Sequence, residues 1–60
     1  MSRSAFYSFH RFKCGDRVQQ KTDPRHVGRV CYTDTMMVRV EWPNGWKSDH
    51  HHTELEQAND

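Results

Sequence analysis

Between Met36 and Trp42 the residues Val38, Val40 and Trp42 fall on every second position, with Arg39 and Glu41 between them. Successive residues of an extended strand point to opposite faces, so this run predicts a strand with one apolar and one charged side. A single strand buries nothing by itself. The chain has 60 residues, and a domain of that size buries only about 60% of the surface its unfolded form exposes. One compact sheet over one core is therefore the limit. Apolar residues make up only 33% of the chain, but the bulky ones Phe6, Tyr7, Phe9, Phe12, Tyr32, Trp42 and Trp46 are among them. That content suits a folded core better than a disordered chain.

Short apolar runs separated by turn residues continue through residues 15–57, and strands fit this spacing where helices do not. Gly15 and Asp16 form a turn that opens a first strand over residues 17–21, with Val18 pointing inward. Residues 22–27, containing Asp23 and Pro24, form a loop. A second strand covers residues 28–34, with Val30 and Tyr32 on one face and Arg29 and Cys31 on the other. After a turn at residues 33–35, the alternating run of residues 36–42 is the third and central strand. Pro43, Asn44 and Gly45 make a hairpin in which Asn and Gly tolerate positive φ. A fourth strand over residues 46–50, one 3₁₀ turn at residues 52–54 and a short closing strand at Leu55 complete a small, strongly bent five-stranded barrel.

Residues 1–11 are expected to form an N-terminal arm, partly disordered, and residues 58–60 a disordered tail, leaving residues 12–57 as the barrel. The spacing of Phe6, Phe9 and Phe12 fits either a helical turn or an irregular arm that packs aromatics on the open end of the barrel. An exposed aromatic patch serving a partner is the functional rival.

The net charge of +1 conceals an asymmetry: residues 1–30 hold seven Lys or Arg against two Asp, and residues 31–60 hold two against six Asp or Glu. Such polarity can give a basic face for an anionic partner, or can simply be spread over the surface by folding. No stretch approaches the roughly 20 apolar residues of a membrane span. Two cysteines, Cys14 and Cys31, are too few for a disulfide framework, so both are expected to be free thiols in a cytoplasmic protein.

The segments Gly15-Asp16-Arg17-Val18, Gly28-Arg29-Val30, Val38-Arg39-Val40-Glu41-Trp42, Asn44-Gly45 and Glu54-Leu55-Glu56 follow the order found in small SH3-like barrels. Over residues 12–57 the chain resembles the KOW and Tudor-like barrels of bacterial transcription and translation factors, and short standalone barrels of bacteria and phages. It lacks the acidic-aromatic motif of peptide-binding SH3 domains. The resemblance implies an all-β SH3-like barrel that binds nucleic acid, RNA or DNA, or a transcription or translation complex. Each matched residue also has a structural role: Gly15 and Gly28 for unusual backbone geometry, Asp16 as a turn cap, and Val18, Val30, Val38, Val40 and Leu55 as core. Fold resemblance alone licenses no activity.

Arg17, Lys21, Arg25, Arg29, Arg39 and Lys47 are the candidates for phosphate contact, with Tyr32 or Trp46 stacking on a base or ribose. Arg39 and Glu41 can instead pair across the sheet. The alternative function is a protein adaptor or self-associating barrel using Phe6, Tyr7 and Phe9 or its edge strands. Among His10, His26, His50, His51 and His52, only His50 and His52 can share a strand face, and the cysteines stand alone, so no metal site or cofactor is expected. The run at residues 50–52 reads as solvated polar chain, with imidazoles able to alter affinity near neutral pH. Tyr32, Trp42 and Trp46 could wall a cage for a methylated cation, but core packing accounts for Trp42, and Trp46 is expected to cover the same apolar end. Catalysis is not expected, since no nucleophile motif or phosphate loop appears. The plasmid-type dihydrofolate reductase builds a pore from similar barrels, but its Val-Gln-Ile-Tyr run is missing here.

Overall fold

A computed structural model of the chain describes residues 10–58. The proposed partner residues Phe6, Tyr7 and Phe9 lie outside the described residues. Five strands form: β1 (Arg17–Gln20), β2 (Asp23–Thr33), β3 (Met37–Glu41), β4 (Lys47–His51) and β5 (Leu55–Gln57). All neighbours are antiparallel and the order is β4-β3-β2-β1-β5. The central strand is thus β2, not the alternating β3.

Topology forces the sheet to curl. Strands β4 and β5 lie at opposite edges, yet only the 3₁₀ turn His52–Glu54 joins them. In a flat sheet those edges stand about 19 Å apart, four strand spacings, whereas the link reaches at most about 14 Å even when extended. Curling also lets Leu55 of β5 share one core with Val18, Val30, Val38 and Val40, each at most 2% exposed, while Phe12 and Trp42 pack against its side. The Lys21 amide donates to Glu54 O at 3.0 Å and the His52 amide to Met36 O at 2.9 Å, tying the 3₁₀ turn to both halves of the sheet. No ladder joins β4 to β5 among the described residues, so the sheet is curled but not closed.

Two irregularities in β2 decide which side chains face outward. From the tight turn at Lys21 and Thr22, Gln20 pairs with Asp23, but Gln19 pairs with Val27. Pro24, Arg25 and His26 therefore bulge out of a strand begun at Asp23, where a plain loop was expected; Pro24 cannot donate to a ladder and suits such an excursion. Further along, Val30 pairs with Val40 and Tyr32 with Arg39, leaving Cys31 as an extra residue. That bulge inverts the alternation. Tyr32, expected beside Val30, instead lies on the outer face and is 56% exposed.

The glycines divide their work differently from expectation. Gly15 and Gly45 take positive φ, 96° and 91°. Asn44 does not; instead its Oδ1 accepts the Trp46 amide at 3.0 Å. The Gly45 amide donates to Trp42 O and the Trp42 amide to Trp46 O, both at 2.8 Å, closing a three-residue loop whose third residue is left-handed. Gly28 has no special φ and serves close packing. A β-carbon there would fall on a Val40 methyl, 2.8 Å from Trp42 Cε3 and 2.9 Å from Glu41 O.

Candidate functional site

Pairing in register builds two rows of side chains across the outer face. The first runs Arg17, Arg29, Glu41, Lys47 over β1 to β4. The second runs Tyr32, Arg39, Asp49 over β2 to β4. Their electrostatics differ. Arg39 Nε and Nη2 donate to the two carboxylate oxygens of Asp49 at 2.7 and 3.2 Å, and its guanidinium lies 6.0 Å from the centre of the Tyr32 ring. This fork raises the Arg39 pKa and holds the Asp49 carboxyl below the usual carboxylate range. In the first row, Arg29 has Arg17 as its cross-strand partner on one side and Glu41 on the other, and Glu41 in turn faces Lys47.

The first row borders an open groove of about 520 Å³, with Arg17, Arg29 and Glu41 beside Val27, Trp42 and Pro43. A second cleft of about 320 Å³ adjoins it, sharing Trp42 and Pro43 and adding Gln20, His26, Asn44 and Trp46. Trp46, expected to cover the core, is instead 71% exposed. Its backbone is nonetheless fixed by the Asn44 side chain and by the Trp42 amide.

The six basic candidates do not form one face. Arg17, Arg29 and Lys47 share the first row, and Arg39 sits in the second. Arg25 lies on the excursion, its Nε 3.0 Å from Asp23 Oδ1, which lowers the Asp23 pKa. Lys21 borders a separate hollow with Thr22, Thr53 and Glu54. Tyr32 does not line the cleft of the two tryptophans, so the three aromatics form no cage. Sequence reasoning missed Gln20 and His26 as cleft residues, because only the excursion carries His26 there. Pro24 inside a strand was the available signal.

The histidine run is more structured than a solvated segment. Trp42 Nε1 donates to Ser48 Oγ at 2.8 Å; Ser48 Oγ lies 2.7 Å from His50 Nε2, and His50 Nδ1 lies 3.1 Å from Glu54 Oε1. Indole N–H only donates, so the serine oxygen accepts from Trp42 and links it to the His50 ring. This chain holds the Trp42 ring, the wall common to both grooves. His51 and His52 stack at 4.6 Å, with His10 5.4 Å from His52. Partial burial, then the neighbouring His51, His10 and Lys21, push His52 below the usual imidazole range. Among the described residues, no group of three or more His, Cys, Asp or Glu side chains is placed to hold a metal ion. Cys14 and Cys31 are free and exposed. No helix among the described residues is long and apolar enough to cross a membrane.

Comparisons of the chain with protein-family models, with curated proteins and with solved structures found no match.

Proposed function

We propose that this chain is a non-catalytic binding module, an SH3-like barrel in the broad sense, that contacts nucleic acid through its first outer row. The observation that carries this reading is the register pair Arg17–Arg29 beside the tryptophan-walled groove. Two arginines on adjacent strands at the edge of one groove can each donate to phosphate oxygens, which a phosphate diester supplies at regular intervals along a chain. The curl of the five-stranded sheet supports the barrel assignment, and two exposed free thiols fit a reducing, cytoplasmic setting.

Three cations make a modest, salt-sensitive site. If Arg17, Arg29 and Lys47 each neutralise one phosphate, raising salt from 50 to 200 mM weakens binding by about 20- to 40-fold. Fluorescence anisotropy with labelled RNA and DNA oligonucleotides tests this. Arg29→Ala is expected to weaken binding and to reduce the salt slope by about one, and Arg39→Ala to leave both nearly unchanged. Absence of binding to every oligonucleotide would reject the reading. The protein-adaptor alternative then rests on Tyr32, Met36 and Met37, all exposed on the β2–β3 hairpin.

A further inference from the structure

We infer that the ligand is single-stranded, with its backbone along the Arg17–Arg29 groove and one unpaired base inserted in the cleft between Trp46 and the Trp42–Pro43 wall. This rests on the nucleic-acid reading above and narrows it to one substrate class.

Continuity of the two grooves is the first support. They share Trp42 and Pro43, so a chain lying against the arginines passes directly to the aromatic cleft. A single strand carries alternating chemistry of that kind, charged backbone and flat apolar base. A duplex does not, because its bases are stacked inside and their faces cannot reach a side chain.

The state of Trp46 is the second support. A large ring left 71% exposed gains little from the fold, yet its backbone is held at both the amide and the carbonyl. The opposing wall is equally fixed, through the Trp42 bond to Ser48 and the close seat over Gly28. An aromatic platform ordered before binding avoids much of the entropy cost of ordering on contact. Gln20, His26 and Asn44 bring polar side chains to the same cleft, suited to the edge of a base. A methylated cation, the other partner of aromatic clefts, is disfavoured by the adjoining guanidinium groups.

The test compares four ligands of equal phosphate count: a single-stranded oligothymidylate, its RNA counterpart, the duplex, and an abasic strand. Affinities are read by anisotropy and by quenching of tryptophan fluorescence. Both base-bearing single strands are expected to bind more tightly than the duplex and the abasic strand. Trp46→Ala is expected to weaken single-strand binding about 5- to 150-fold, to leave abasic binding unchanged, and to be largely rescued by Trp46→Phe. The exposed position of Trp46 makes loss of folding an improbable cause, and circular dichroism of each variant checks it. Equal affinity for all four ligands with no effect of Trp46→Ala overturns the single-strand inference while the phosphate-binding reading stands. Binding to none of them overturns both.

Discussion

The two outer rows lie on the same sheet, are built by the same pairing and each contain arginine, but they differ in what stands beside it. In the second row, Arg39 has a carboxylate opposite and an aromatic face beside it, so its charge is satisfied within the fold. In the first, Arg29 stands in register between Arg17 and Glu41, and that one carboxylate also faces Lys47. Basic residues in a small sheet are therefore not equivalent candidates for a ligand. A carboxylate given over to one arginine in a two-bond fork, as Asp49 is to Arg39, marks the structural arginine, whereas Glu41 is set between two cationic residues.

The largest test of that contrast removes the packing beneath the first row. Gly28→Ala drives a methyl into Val40 and Trp42, and overpacking of this kind costs typically about 1–3 kcal/mol. In a domain this small, each kcal/mol lowers the melting temperature by about 4–8 °C, which thermal denaturation would register. An unchanged melting temperature would show that the Trp42 wall can move, and that the first row does not depend on it. A second test converts one row into the other. Asp49→Asn removes the charge that neutralises Arg39, and nucleic-acid affinity should then rise, with a salt slope steeper by up to about one. No change would mean that the second row lies off the ligand's path.

The smallest effect concerns a region that neither row includes. The folded state holds His52 below its unfolded value of about 6.5. The unfolded chain therefore takes up the proton first, and stability present above that pH declines as pH falls through it toward the lower folded value. Denaturation midpoints measured from pH 8 to pH 5 should show this decline, and His52→Gln should flatten it. Neither row contains an imidazole.

How much of this was legible in the sequence depends on whether the physics was local. The inward phase of Val38, Val40 and Trp42, the 3₁₀ turn at His52–Glu54 and the turn role of Gly45 follow from neighbours in the chain. The outward position of Tyr32 does not, because one additional residue at Cys31 reverses the phase without altering composition. Likewise, a regular hairpin continued from Lys21 and Thr22 would set Arg17 opposite His26 instead of Arg29. The site's central pair thus forms because residues 24–26, which read as a loop, leave the ladder instead of continuing it. The two tryptophans, four positions apart, differ because a three-residue turn with left-handed Gly45 lies between them.

The excursion at Pro24, Arg25 and His26 has an evolutionary consequence. If these three positions were excised, Asp23 would be followed directly by Val27, and the pairs Gln19–Val27, Val18–Gly28 and Arg17–Arg29 could persist in an uninterrupted ribbon. The segment is therefore an interchangeable cassette: its length and chemistry can drift, or be grafted, while core and arginine pair stay as they are. Ligand preference in a domain too small to tolerate much change inside could be retuned at this one detachable edge of the cleft.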